Sequence, residues 1–376
     1  MKKFGKILVI VIAVALICTA LAVSVSASTA AFDLKSALNS ADAGATVTLT
    51  ADATLTEAYS ITKSVTIDLN GYTLTSTADT AFNVNQDVEV KIVGQGNIEL
   101  SGMLFKSTAT DKNPRVTVEG TYAPIKINHT GEKSNNLLYA VHGEYSFINT
   151  DITAVCTNAS GNDAIFKSSG SSSSATYNFV ASEVKVTGAA RYENCVIWIA
   201  GNSRLNVTAS SIATDGGAVL IGNSVVTDNV VVIKDSYVCA SSDTYQVGAI
   251  GMYSNPRGTI LLENSVIESS YRVFCLSCES QSPTAEEDEN GIISITSGGK
   301  VLCYDTVILQ NCKITSLISR AIPTFLYGSS KIIYAKPLST AVDLVNFDTA
   351  STGYTSSNKY VNIYIWRREP ELKKNG

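Results

Sequence analysis

The sequence predicts an all-β fold: a right-handed parallel β-helix of about ten coils, closed at its N-terminal end by an amphipathic helix. Three observations predict it. A short phrase recurs along the chain, the copies are spaced like the coils of a solenoid, and helical periodicity is confined to one stretch near the start. The phrase is clearest at Ile260-Leu261-Leu262-Glu263-Asn264-Ser265-Val266-Ile267-Glu268: an apolar strand, a polar corner and a second short apolar strand. Other copies centre on Thr150, Ser182, Ser210, Ser236 and Cys312, each a small residue at the corner. The spacings between successive corners are 32, 28, 26, 29 and 47 residues, and a period in this range marks an array of stacked coils. Ten coils at a strand spacing of ~4.8 Å make a rod roughly 50 Å long.

The first residues read as a leader. Lys2, Lys3 and Lys6 precede the apolar run from Ile7 to Val23, and Val25-Ser26-Ala27 offers small residues at the cleavage point, with Ala30 as a second choice. This pattern is a secretory signal peptide over 1–27; an uncleaved membrane anchor is the rival reading, because the run approaches the ~20 residues that span a bilayer. Ala15-Leu16-Ile17 lacks the small residue that lipidation at Cys18 needs. Removing the leader leaves 25 basic and 33 acidic residues, a net charge of −8. That balance speaks against nucleic acid as a partner and leaves the leader as the only membrane-associating segment.

One domain is expected over 28–366. Its cap, 32–42, holds Leu34, Ala37, Leu38 and Ala41 on one helical face, with Asp33 as N-cap. The helix covers a strand edge that would otherwise recruit other chains. From Ala45 onward the pattern changes to strands. Val65, Ile67 and Leu69 alternate with Thr66 and Asp68, and Asn70-Gly71 turns the chain. Val88, Val90 and Ile92 repeat the strand, and Val116 and Val118 begin another coil. Each later coil adds a preceding strand: 138–141, 164–166, 196–199, 219–221 and 250–252. Glu193 to Ile197 also resembles the phrase, but it lies half a coil out of step and is placed in the preceding strand. The long interval before Cys312 reads as an extra coil, Ile292 to Ile295, carrying an acidic loop over 277–290 with Glu286-Glu287-Asp288-Glu289. Lys359 to Trp366 alternates as a closing strand, and 367–376 is a polar tail.

With these residues in hand a resemblance emerges. The helix from Asp33 to Ala41, then Ala43-Gly44-Ala45-Thr46-Val47-Thr48-Leu49 and Ser64 to Leu74, resembles the entry to pectin-lyase-like β-helix proteins, in particular secreted bacterial members. The resemblance implies the fold over nearly the whole mature chain. It implies much less about activity, since the family includes pectate lyases, polygalacturonases, adhesins and surface proteins.

The catalytic patterns of that family are not met. Polygalacturonase-like enzymes carry Asn-Thr-Asp, then paired aspartates, Gly-His-Gly and Arg-x-Lys. Here Asn149-Thr150-Asp151 has no aspartate pair or Arg-x-Lys after it, and His142-Gly143 precedes it. Asn149-Thr150 also occupies the corner slot of the repeat, so stacking explains it. A pectate-lyase-like Ca²⁺ site needs roughly six to eight oxygens. Counting from the corner gives one outward column of Asp151, Glu183, Ser211, Tyr237, Val266 and Lys313, and another of Thr153, Lys185, Ala213, Cys239, Glu268 and Thr315. Only Asp151 and Glu183 put acids on adjacent coils. The inward column of Ala154, Val186, Thr214, Ala240, Ser269 and Ser316 suits a tight corner. Two histidines, His129 and His142, are too few for a His-based site. Cys275, Cys278 and Cys303 lack the second close pair of a zinc site, and Cys312 substitutes for the corner serine as a small buried filler. No cofactor, metal or catalytic residue is therefore assigned.

Aromatic side chains stack on sugar rings while polar groups hold their hydroxyls. Tyr192, Trp198, Arg204, Tyr237, Tyr253, Arg257 and Tyr271 in the middle coils are the candidate ligand-binding residues. The sequence thus points to a secreted or cell-surface solenoid of adhesin type that binds polysaccharide or a surface partner without catalysis. A polysaccharide lyase or glycoside hydrolase acting on uronic-acid-containing glycans, and a structural rod of a larger surface assembly, are the alternatives.

Overall fold

The computed structural model describes residues 30–157 continuously. It then describes 164–168, 170–188, 195–223, 228–241, 249–254, 257–263 and 265–269, and separate strands from 274 to 362. The leader and the polar tail lie outside the described residues. No described helix is long and apolar enough to cross a membrane.

The chain is a parallel β-solenoid. Each turn contributes one strand to each of three parallel sheets, and the sheets reach eleven, ten and eleven strands. The first six turns run from Thr46–Thr48 to Cys195–Ile199, and strand pairing extends the sheets beyond them. We number the sheets by their order within a turn. The first holds the strand before the polar corner, for example His142–Ile148. The second holds the strand after it, Thr150–Val155. The third holds the strand that closes the turn, Ala164–Lys167.

One helix, α1 (Leu34–Ser40), precedes the sheets. Asp33 caps it as expected: its carboxylate accepts from the Ser36 backbone N–H at 3.0 Å and from the Ser36 hydroxyl at 2.6 Å. Leu34 and Leu38 are buried in the solenoid core, and Phe32 bridges to Ala53 beside them. The amphipathic face therefore lies over the edge of the first turn, as its spacing required.

Parallel stacking places like on like, because register repeats from turn to turn. In the second sheet Leu74, Ile98, Ile127, Ile152, Val184, Ile212, Val238 and Ile267 form one inward column. In the first sheet Phe147 stacks on Phe179 with ring centroids 5.4 Å apart, and Tyr145 on Tyr177 at 6.0 Å. Phe166 of the third sheet packs edge-on to both phenylalanines, at 5.2 and 4.9 Å. Each such side chain contributes about 1.5–3 kcal/mol on burial. Burial follows both outward columns and the inward column counted from the corner residue through Tyr237, Cys239 and Ala240, and the backbone register continues through Lys313, Thr315 and Ser316.

The corner has one backbone solution, used repeatedly. Asn70, Asn149, Ala181, Ala209 and Asp235 all lie in the left-handed region, with φ of 48°, 50°, 50°, 49° and 49°. A single left-handed residue swings the chain from the first sheet to the second. Asparagine suits the position twice over: it tolerates positive φ, and its amide reaches the turn before. Asn149 Nδ2 donates to the Gly120 carbonyl at 2.8 Å, and Asn70 Nδ2 to that of Leu49 at 3.1 Å. Alanine does neither. Ala209→Asn is therefore expected to stabilise the chain by about 1 kcal/mol, read as a higher urea midpoint with unchanged slope.

Two features differ from the sequence expectation. The interval before the last corner adds no coil. Instead Thr284–Glu287 pairs antiparallel with Ile293–Ser297 in a separate two-stranded sheet, and the first sheet passes directly from Arg257–Glu263 to Thr306–Gln310. An apolar alternation of four residues cannot distinguish a hairpin arm from a solenoid strand, since both have period two. The second difference concerns the corner serines, which are more than fillers. Ser182 Oγ accepts from Thr150 N at 3.1 Å, Ser210 Oγ from Ser182 N at 3.0 Å, Ser236 Oγ from Ser210 N at 3.1 Å, and Ser265 Oγ from Ser236 N at 3.2 Å. Each of these serine hydroxyls also donates to the carbonyl two residues upstream, at 2.5–3.0 Å. The result is a buried hydroxyl ladder running along the solenoid. The closing strand Tyr360–Asn362 pairs antiparallel with Pro323–Phe325.

Candidate functional site

The candidate ligand-binding residues do not converge. Arg204 projects outward from the first sheet, in register with Thr176 and Val230, and is exposed. Tyr237 projects from the second sheet between Ser211 and Val266, 38% exposed. Trp198 projects from the third. These are three different faces of the solenoid. The backbones of Tyr253 and Arg257 lie in the strands Ile250–Ser254 and Arg257–Glu263; Tyr192 and Tyr271 lie outside the described residues. Middle position in the sequence does not imply a common face, because each turn visits all three sheets.

Around Trp198 the third sheet assembles something the sequence reading missed. Its strands carry two consecutive core residues, such as Leu104-Phe105, Leu137-Leu138, Ile165-Phe166 and Val196-Ile197, all buried. The residue after each pair must then point outward. Register aligns those residues as Asn83, Lys106, Tyr139, Lys167, Trp198 and Leu220. Asn83, Lys106, Tyr139, Lys167 and Trp198 are half-buried, and Leu220 is buried. Four successive turns thus present lysine, tyrosine, lysine and tryptophan in a single row.

The row is held rigidly. The Trp198 ring packs on Ala164, Cys195 and Leu220, and its Nε1 donates to the Gly222 carbonyl at 3.0 Å. The Lys167 ammonium lies over the ring, 4.9 Å from its centroid, an attraction of about 0.5–1 kcal/mol at a partly exposed site. An aromatic ring fixed from behind by a hydrogen bond and a packed floor is suited to stacking. Ammonium groups in the same row select negative charge or donate hydrogen bonds to polar oxygens.

The second sheet carries the acidic alternative. Lys126, Asp151 and Glu183 align in one outward column, and Lys185 lies beside them. Glu183 is committed to Lys185 at 2.6 Å, which raises the lysine pKa through that hydrogen bond and the Glu183 charge. Asp151 belongs to the turn whose corner is Asn149, where the left-handed φ and the bond to Gly120 account for the Asn-Thr-Asp phrase. Among the described residues no group of three or more His, Cys, Asp or Glu side chains is placed to hold a metal ion. His129 is buried and His142 Nδ1 is 2.7 Å from Ser174 Oγ, so the two histidines serve different strands.

No protein-family model, curated protein or solved structure matches this chain.

Proposed function

We propose that the chain is a secreted or cell-surface polysaccharide-binding protein, acting without catalysis, and that the outward row of the third sheet is its binding face. The proposal includes a right-handed, pectin-lyase-like β-helix as its scaffold and export by the N-terminal leader. The observation that carries it is the alignment of Tyr139 and Trp198 on one rigid face, with Lys106 and Lys167 interleaved. Aromatic faces supply stacking energy to sugar rings, and the amines supply hydrogen bonds to hydroxyl or carboxylate oxygens. Catalysis by acid–base chemistry needs a pair of carboxylates, or a carboxylate and a base, converging on one bond. The acidic pair Asp151 and Glu183 lies on a different sheet from the aromatic row, and Glu183 is ion-paired with Lys185.

The test is binding of the leader-free chain to immobilised glycans, with Trp198→Ala beside it. Loss of one stacking ring is expected to weaken binding at least tenfold, about 1.4 kcal/mol. Equal binding by the variant would remove the third-sheet face from consideration. Release of unsaturated products from a uronic-acid polymer would replace the binding reading with a lyase.

A further inference from the structure

The order of residues in the row carries more than the presence of a sugar site. Lys106, Tyr139, Lys167 and Trp198 alternate in chemical type from one turn to the next. Adjacent turns are ~4.8 Å apart, so the backbones of the two lysines are separated by two strand spacings, about 10 Å, and so are those of Tyr139 and Trp198. An extended polysaccharide advances by nearly one strand spacing per sugar. A chain lying along the solenoid axis would therefore meet a lysine, a ring, a lysine and a ring on four successive sugars.

We propose that this face recognises a linear polysaccharide whose disaccharide repeat alternates an acidic sugar with an uncharged one. Each acidic sugar sits over Lys106 or Lys167, and each uncharged sugar stacks on Tyr139 or Trp198. The inference rests on the polysaccharide-binding reading above and specifies its ligand. A polymer with a carboxylate on every sugar would put half its charges over aromatic rings, where they lose hydration with no cation opposite. A neutral polymer would forgo the electrostatic share of binding that the lysines supply. In the free protein the Lys167 ammonium rests on the Trp198 ring. Ligand binding exchanges partners: the sugar takes the ring face and the flexible lysine stem swings its charge to the carboxylate of the neighbouring sugar.

The row also limits the length recognised. Beyond Trp198 the column continues into buried Leu220 and then Gly251, and before Lys106 it runs back through Asn83 to Ser60. Four turns of alternating character correspond to a tetrasaccharide. Affinity is expected to rise steeply up to that length and little thereafter.

The experiment measures binding of the leader-free chain to three size-matched probes by calorimetry. Hyaluronan oligosaccharides alternate acidic and neutral sugars, oligogalacturonate is acidic throughout, and cello-oligosaccharide is neutral. The expected result is at least tenfold tighter binding of the alternating probe than of either other. The double variant Lys106→Gln and Lys167→Gln is expected to erase that preference while keeping weak binding to the neutral probe, and raised salt should act the same way. Both glutamines keep the length and polarity of the stem, and an unchanged thermal midpoint shows that the variant is folded. If oligogalacturonate or the neutral probe binds as tightly as hyaluronan, the alternation inference is overturned and the sugar-binding reading stands. If none of the three binds, both are overturned.

Discussion

Replacing Ser182 by alanine is expected to destabilise the solenoid by about 2–3 kcal/mol, although it removes a single oxygen. The hydroxyl accepts from the buried Thr150 backbone N–H at 3.1 Å and donates toward the Phe147 and Val180 carbonyls at 3.1 and 3.0 Å. Alanine leaves that N–H inside the protein with no acceptor, and water has no access to a side chain only 4% exposed. The penalty is the desolvation of a stranded donor and exceeds the ordinary net value of one hydrogen bond. Ser182→Cys separates the two roles the residue could have. If the corner position only needs to be filled, as the thiol at Cys312 suggested from sequence, cysteine should be nearly neutral. If the ladder dominates, cysteine recovers volume but remains a weak hydrogen-bonding partner, and it should lie closer to alanine than to serine. Ser211→Ala, on the outward column one residue after the next corner, Ser210, is the control and should change stability by less than ~0.5 kcal/mol. Urea midpoints at constant slope report all three; a neutral Ser182→Ala would refute the ladder's energetic role.

The ladder also shows why the fold was legible in the sequence. A parallel solenoid repeats its register, so a position demanding one small hydroxyl in one turn demands it in the next. Thr150, Ser182, Ser210, Ser236 and Ser265 wrote that demand into the sequence at nearly constant spacing. Counting from them correctly assigned inward and outward columns through Tyr237, Cys239 and Ala240. The cap at Asp33 was legible for a local reason, since the helical spacing of Leu34 and Leu38 needs no distant partner.

The candidate site was legible only in part, because counting fails between the second and third sheets. The connecting loops differ in length, so the outward third-sheet residue falls 17 residues after Thr150, 16 after Ser182 and 10 after Ser210, at Lys167, Trp198 and Leu220. Trp198 was singled out as an aromatic residue in a middle coil. Lys106, Tyr139 and Lys167 were not, since nothing in sequence spacing aligns them with it. The paired core residues of the third-sheet strands, such as Val196-Ile197, break period-two alternation and further obscure which residue faces out. The apolar doublet followed by a non-core residue is the signal that could have located the row.

Acid is expected to weaken the solenoid from inside, through His129. This residue ends the strand Ile125–His129 on an inward column between Leu100 and Ala154, only 2% exposed. Neither ring nitrogen finds a hydrogen-bond partner of good geometry. Burial pushes the imidazole pKa down from 6.5 to about 4, with the Ser134 backbone acting weakly in the opposite direction. The sign follows from linkage. Above pH 6.5 the ring is neutral in both folded and unfolded chains, and the full stability is present. Between pH 6.5 and about 4 the unfolded chain takes up a proton that the folded chain refuses, so stability falls as the pH falls. The loss totals on the order of 3 kcal/mol and is complete near pH 4, below which both states are protonated. His129→Leu places at this position the side chain that Leu100 already contributes to the same column. The variant is expected to match or exceed the natural chain at pH 7.5, and its advantage should grow by roughly 3 kcal/mol on acidification to pH 4. Taking the difference between the two proteins cancels the carboxylates that titrate in the same range. Urea unfolding at half-unit pH steps measures it, and a difference that stays flat from pH 7 to 4 would show that His129 is protonated at no cost inside the fold.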